Sequence, residues 1–193
     1  MEVLILIIVN VANILSVWFA AKNNRLTWSV GFIGVAITAV MFFMSGHYMS
    51  FAFNAYSAIM CVIGHFKWNS SVQKNDESIR WMKPYLPIII SLLLAVLIYA
   101  INASLSQNPI LDSVGTAVSI VAAYLLVKQD VNAWLLYLFS DVIYIYLGII
   151  SGDWEYTVIY GVMMLLAIYG TKEFIQKHKR YEAFIRFHPS LSR

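Results

Sequence analysis

Long apolar runs separated by short polar connections dominate the chain. A helix needs roughly 20 apolar residues to cross the hydrocarbon core, and only helices or closed barrels satisfy their backbone polar groups there. Barrel strands would alternate apolar and polar residues, whereas these runs are continuously apolar. The pattern therefore predicts seven transmembrane helices, at about 2–21, 27–45, 49–66, 84–103, 110–127, 132–150 and 154–175.

The lysine and arginine residues indicate which way the predicted helices run. All thirteen lie in the first, third and fifth connections, or at and beyond the end of the last helix. The second, fourth and sixth connections contain none, and the positive-inside rule makes the basic side the cytoplasm. We therefore expect a multi-pass protein of the inner membrane, with its amino terminus outside and its carboxyl terminus in the cytoplasm.

Composition supports a membrane protein. Hydrophobic residues make up 61% of the chain and charged residues 12%, about half the charged share of a soluble domain. This excludes a soluble enzyme and favours the lipid bilayer over nucleic acid as a partner. Cys61 is the only cysteine, so no disulfide forms within the chain. The sequence carries no ATP-binding phosphate loop and no metal-binding motif, and we expect no cofactor.

A shift of 106 residues aligns the first part of the chain with the last part without a gap. The shift pairs Lys22 with Lys128, Trp28 with Trp134, and Gly64 with Gly170. Two three-helix units fused directly would face opposite ways, so an intervening fourth helix restores the same orientation. The predicted fold is an all-α membrane protein with seven transmembrane helices, in a 3+1+3 arrangement of parallel three-helix repeats.

The repeat divides the chain into four segments. Residues 1–68 form the first repeat, 69–109 a cytoplasmic loop with the linker helix, 110–175 the second repeat, and 176–193 a basic cytoplasmic tail. The tail fits a set of topology-determining charges, and a short interfacial helix is the alternative. Paired repeats are typical of transporters, which hold their substrate near mid-membrane between the two halves.

Asp141 is an ionisable residue near the middle of the sixth predicted helix. Such a group at membrane depth costs a few kcal/mol or more and is read as functional by default. Helical spacing places it on one stripe with the aromatic residues Trp134, Tyr137 and Tyr144. This stripe suits a flat cation, because the rings would stack on its faces while the carboxylate balances its charge. A hydrogen-bonded helix-packing role is the alternative for Asp141.

Two further polar residues, Asp112 and Asn54, each have a structural and a functional interpretation. Asp112 follows Pro109 at the outer end of the fifth helix, where it is either an ordinary N-cap or an extracellular gating or binding residue. Asn54 lies within the third helix, where interhelical hydrogen bonding is the simplest account. No basic residue lies at mid-membrane, so a phosphate would find no cation to replace its water. A dephosphorylated cation is therefore the expected substrate.

Several motifs together resemble one transporter family. Asp112-Ser113, the S-I-V-A run at 119–122, and Trp134 followed by Tyr137 and Asp141 are similar to D-S, S-I-V-A and W-x-x-W-x-x-x-[ND]. The G-H-F-K-W run at 64–68 resembles G-W-x-x-W at the end of the third helix. Tyr160 and Asn54 each precede a glycine by ten residues, where the family has tyrosine and glutamine. The family is the nicotinamide riboside transporters, PnuC, also called nicotinamide mononucleotide transporters.

The resemblance covers nearly all of the seven-span region and implies a function. It implies a homotrimer that carries a vitamin B3 precursor, nicotinamide riboside, by facilitated diffusion, with a cytoplasmic ribosylnicotinamide kinase trapping the substrate. By position, it implies ring stacking by Trp134 and Tyr137, hydrogen bonds to ribose or carboxamide from Asp141 and Asn54, and closure of the site by Tyr160.

Two other functions remain open. The same scaffold could carry thiamine, which is also a flat cation, whereas riboflavin is neutral and suits a buried carboxylate less well. A seven-span receptor or sensor without transport activity is the alternative from another class. A membrane enzyme is disfavoured because no nucleophile and base occur at compatible spacing.

Overall fold

The structure, a computed structural model, describes residues 2–46, 48–73, 82–83, 85–104 and 106–187. These residues form seven helices: α1 (Glu2–Ala21), α2 (Leu26–Met44), α3 (Tyr48–Gln73), α4 (Tyr85–Asn102), α5 (Pro109–Val127), α6 (Asn132–Ser151) and α7 (Trp154–Phe187). Six of them, all except α3, are long and apolar enough to cross a membrane. The prediction of an all-helical chain with several membrane-spanning helices is therefore confirmed.

Two helices continue well beyond their apolar runs. α3 extends to Gln73 and α7 to Phe187, so the predicted loop from 69 and the predicted tail from 176 both begin as helix. Hydropathy sets the part of a helix that lies in the bilayer, but the helix itself continues until glycine, proline or a cap ends it. Neither 65–73 nor 171–187 contains glycine or proline. Residues 74–81 of the predicted loop and 188–193 of the tail lie outside the described residues.

Six helices pack into a closed ring. Each helix in the order α1, α2, α3, α5, α6, α7 contacts the next one. The ring closes because α7 contacts α1. α4 packs against α5 and leaves large apolar side chains such as Leu93 and Val96 exposed, as expected for a lipid-facing helix. The first three helices and the last three therefore meet twice, at the α3–α5 contact and at the α1–α7 contact.

The connections that carry basic residues meet at one end of this ring. Gln129, between α5 and α6, donates its side-chain amide to Oδ1 of Asn23, between α1 and α2, at 3.1 Å. Lys177 in α7 donates to the backbone oxygen of Lys22 at 3.2 Å. We refer to this end as the basic end, made by residues 22–25, 67–68, 82–83, 128–131 and 172–180.

Positions 106 residues apart make equivalent contacts inside the ring. The Trp28 indole lies against Gly64, and the Trp134 indole lies against Gly170. An added Cβ at Gly170 would be 2.6 Å from the Trp134 indole. Each indole also meets another ring edge-on, at 5.2 and 5.5 Å between centroids: Trp28 with Trp68, and Trp134 with Phe174. Glycine is needed at both positions because a side chain there would overlap the indole.

The turns before α2 and α6 match in the same way. Asn23 and Gln129 both adopt a left-handed backbone with φ of 56°. The side chains of Asn24 and Asp130 each accept a hydrogen bond, at 3.0 and 2.9 Å, from the amide of the first residue of the following helix. Each side chain thereby satisfies an amide that the helix itself leaves unpaired.

Gly170→Ala is expected to destabilise the protein by about 1–3 kcal/mol, because the new methyl group overlaps a buried, rigid indole. The matched control is Gly161→Ala on the same helix, where an added Cβ meets nothing within 4 Å. Alanine is the better helix former, so this control is expected to be neutral or slightly stabilising. Thermal unfolding of the purified protein in detergent measures both, and equal midpoints would contradict the packing role of Gly170.

Candidate functional site

Asp141 lies in the middle of α6 with 5% of its surface exposed, so it is buried in the protein and does not face lipid. Among the residues that the structure describes, no hydrogen bond or ion pair reaches its carboxylate. A carboxylate removed from water without a partner costs several kcal/mol. The helix-packing alternative requires a hydrogen-bond partner that the described residues do not supply, whereas a bound cation would balance the negative charge.

Three tyrosines lie close enough to Asp141 to interact with its charge. They are Tyr137 and Tyr144 on α6 and Tyr160 on α7. The structure therefore brings together four of the predicted site residues, one acidic and three aromatic. We call this set, made of Tyr137, Asp141, Tyr144 and Tyr160, the Asp141 group.

A tight aromatic cluster forms part of this region. Tyr144 and Tyr160 lie 4.7 Å apart between ring centroids, and Tyr160 lies 4.6 Å from Tyr156. Tyr156 also meets Tyr144 edge-on at 6.1 Å. Tyr156 was not among the predicted site residues, although its position one turn before Tyr160 places both rings on the same face of α7.

Helix α5 supports Tyr144 from the opposite side. The Tyr144 hydroxyl lies 3.4 Å from Oγ1 of Thr116. Its ring lies against Gly115, where an added Cβ would be 3.1 Å from the ring carbon that bears the hydroxyl. The glycine lets α5 approach closely, and the hydroxyl contact sets the orientation of the ring.

Trp134 occupies a different place from the one that its stripe suggested. It is 1% exposed and lies between Gly170 and Phe174, with its ring centroid 6.4 Å from that of Tyr137. Its indole N–H has no hydrogen-bond partner within the described chain. In this conformation Trp134 is a core residue that backs Tyr137, and both of its faces are covered by protein.

Asn54 lies on α3, at the position that the 106-residue shift pairs with Tyr160. It is half-buried, and its amide donates to the backbone oxygen of Ser50 at 2.8 Å. Tyr56 on the same helix donates to the backbone oxygen of Ile120 at 2.9 Å and so joins α3 to α5. No hydrogen bond links Asn54 to the Asp141 group in the described part of the chain.

Asp112 lies in the first turn of α5, where Asn108, and not Asp112, is the N-cap residue. Its carboxylate accepts a hydrogen bond from the hydroxyl of Ser106, which in turn accepts one from the Asn108 amide at 3.1 Å. Asp112 is also near enough to Tyr144 and Tyr156 to interact with them electrostatically. The tyrosine cluster therefore lies between two carboxylates, Asp112 near one end of the ring and Asp141 at mid-depth.

A second buried acid, Asp130, was not identified from the sequence. It is 1% exposed and accepts hydrogen bonds at 2.9 Å from the Met82 amide and from both the amide and the side chain of Asn132. Asn132 completes the link by donating to the Met82 oxygen at 2.7 Å. Because its oxygens are satisfied, Asp130 anchors the segment before α4 and is not a candidate ligand. The alignment of Asp130 with Asn24 was the signal that could have found it.

Comparisons with known proteins identify the family and the fold of the chain. A family model described as nicotinamide mononucleotide transporter matches residues 3–176, a range that includes every predicted site residue. Among solved structures, the chain is similar to one titled "Crystal structure of the Vitamin B3 transporter PnuC". That match has a TM-score of 0.73 and 19% identity, and it covers 90% of this chain and 81% of the other. At this identity the structural likeness shows the fold.

Proposed function

This chain belongs to the nicotinamide mononucleotide transporter family, and from that premise we propose that it is a facilitator for nicotinamide riboside in the inner membrane. The observation that carries the proposal is the buried Asp141 carboxylate, which has no partner among the described residues and lies beside tyrosine rings. A flat cation would neutralise the carboxylate and stack on the rings.

The proposed architecture is the 3+1+3 arrangement of parallel repeats, with α3 as the seventh span. If the repeats are equivalent, α1 corresponds to α5, α2 to α6 and α3 to α7. The α1–α7 contact then has the α5–α3 contact as its counterpart, and both contacts occur. The paired tryptophan–glycine contacts and the matched turns support the same relation. With the basic end in the cytoplasm, the amino terminus lies outside and the carboxyl terminus inside.

In the proposed complex, the pyridinium ring lies against the tyrosines with its charge near Asp141. Tyr137 and Tyr144 stack on the ring, Tyr160 closes the site, and Asn54 on the facing repeat hydrogen-bonds ribose or carboxamide. Trp134 contributes by fixing Tyr137 from behind.

The charge of the site favours the riboside over the mononucleotide. The Asp141 group contains no lysine or arginine, and the basic residues that the structure describes lie at the basic end or, for Arg186, beyond it on α7. A phosphate would lose its hydration, gain no cation and face Asp141. Phosphorylation after entry would therefore prevent return, so a cytoplasmic ribosylnicotinamide kinase completes net uptake. The homotrimer implied by the resemblance remains part of the proposal.

The test is a comparison of binding and flux for four compounds. Purified protein is expected to show a raised unfolding temperature with nicotinamide riboside and not with nicotinamide mononucleotide, because ligands stabilise the state that they bind. Proteoliposomes are expected to take up radiolabelled nicotinamide riboside with saturation, whereas protein-free liposomes do not. If only thiamine stabilised the protein and were taken up, thiamine would be the substrate. The same result with riboflavin alone would make riboflavin the substrate. Binding of nicotinamide riboside without uptake would indicate a receptor.

A further inference from the structure

One hydrogen bond joins two positions that the repeat makes equivalent. The Gln129 side-chain amide donates to Asn23 Oδ1 at 3.1 Å, and the two residues are 106 positions apart in the chain. Gln129 is buried and Asn23 is half-buried, so the two turns are closed against each other at the basic end.

The position of this contact follows from symmetry. When two units are related by a twofold rotation, the midpoint between any pair of equivalent atoms lies on the rotation axis. Two equivalent residues in direct contact must therefore lie on either side of that axis. For parallel repeats the axis runs along the membrane normal through the space between the halves, which is the substrate's route.

We infer that Asn23 and Gln129 form the gate that closes the transport pathway at the basic end. This inference rests on the proposed function, because it takes the space between the repeats as the pathway. A rocking motion that admits substrate to this end must separate the two turns. The hydrogen bond between the two side chains joins neutral groups, so it can open and close without an energy source. The repeats are also joined at this end by hydrogen bonds from Lys177 to the Lys22 backbone oxygen and from the Trp68 indole to the Val127 backbone oxygen.

Each turn is held firmly by its own repeat. Asn23 and Gln129 are not glycines, yet both have a left-handed backbone, a conformation that persists only where the surroundings impose it. Asn24 and Asp130 fix the following residues by their side-chain hydrogen bonds to the starts of α2 and α6. Separation of the two turns therefore requires the repeats themselves to move apart.

The opposite end differs in the described residues. The equivalent turns there contain Gly46 and Gly152, both exposed, and an added Cβ at either one meets nothing within 4 Å. No hydrogen bond joins these two turns in the part of the chain that is described. The two turns are thus joined at the basic end and not at the other, where the halves are linked instead by the Asn10 side-chain amide, which donates to Oε1 of Glu155 at 3.3 Å.

Cross-linking tests the gate. Asn23→Cys and Gln129→Cys are combined in a Cys61→Ser background, and a short, reducible bifunctional thiol reagent joins the two cysteines. The cross-linked protein is expected to lose uptake of radiolabelled nicotinamide riboside in proteoliposomes, to keep its thermal stabilisation by that compound, and to regain uptake on reduction. Each single-cysteine variant treated with the same reagent is the control and is expected to keep its uptake.

Two results would overturn the gate: undiminished uptake by fully cross-linked protein, or no cross-link in the ligand-free protein. Failure of uncross-linked protein to take up nicotinamide riboside would count against the proposed function instead. A second variant needs no reagent: Asn23→Asp with Gln129→Lys replaces the hydrogen bond by an ion pair and is expected to slow uptake without loss of binding. Unchanged uptake by this folded variant would also overturn the gate.

Discussion

Asp141→Asn is expected to lower the affinity for nicotinamide riboside at least about thirtyfold, because truncating one member of a buried charge pair costs about 2–5 kcal/mol. The same change is expected to stabilise the ligand-free protein, since asparagine removes a buried charge for which the described residues offer no partner. Weaker binding combined with a higher unfolding temperature is a signature that a misfolded variant cannot produce. Titration of purified protein and thermal unfolding measure the two effects.

The matched control for this prediction is Asp153→Asn. Asp153 is an exposed acid after α6 whose Oδ1 accepts a hydrogen bond from the Tyr156 amide at 3.0 Å, and asparagine keeps that acceptor. The control removes one negative charge outside the Asp141 group and is expected to bind nicotinamide riboside as the unmodified protein does. Unchanged affinity in Asp141→Asn, or an equal loss in both variants, would remove the role of Asp141 as the partner of the cation.

Asp130→Ala is expected to lower the free energy of unfolding by about 2–6 kcal/mol, because the Met82 and Asn132 amides lose their acceptor and each buried unsatisfied group costs about 1–3 kcal/mol. For a chain of this length, the unfolding midpoint falls on the order of 10 °C. The Met82 amide loses its partner, so only the hydrogen bond from Asn132 to the Met82 oxygen still holds the segment before α4. Thermal unfolding in detergent and the yield of folded protein measure the effect.

Asn24→Ala is the control, because the 106-residue shift pairs Asn24 with Asp130 and both side chains cap the start of the following helix. Its side chain is exposed and accepts one hydrogen bond, from the amide that begins α2. Losing such a cap costs about 0.5–2 kcal/mol, less than the change at Asp130. Equal destabilisation by the two substitutions would show that Asp130 acts only as a cap and does not anchor the Met82 segment.

The apolar runs predicted the helices closely wherever the bilayer alone sets their length. Helix α1 has the predicted bounds 2–21, and α6 ends one residue after the predicted 150. The prediction was short for α3 and α7, since hydropathy marks where a helix leaves the apolar layer and not where its backbone hydrogen bonding stops. Both helices continue through polar residues that contain no glycine or proline.

The stripe on α6 predicted which residues share a face of the helix, but it did not predict the depth at which each one lies. Trp134 and Asp141 share a face of α6, but seven residues separate them by about 10 Å along the helix axis. Trp134 therefore packs against Gly170 at the level of the basic end, while Tyr144 and Tyr160 lie beside the acid. Tyr156 was missed because the 106-residue shift pairs it with Ser50, which carries no aromatic ring to mark the position.

The sequence by itself determined the helices, the placement of basic residues on alternate connections, and the presence of one acid at mid-membrane depth. These are local properties, set by hydropathy and by the thickness of the bilayer. Only the tertiary structure decided that Asp130 anchors Met82, that Trp134 is enclosed, and that Asn23 meets Gln129. Such contacts depend on the rotation of each helix about its axis and on the path of the turns, and these are set by the packing of distant residues.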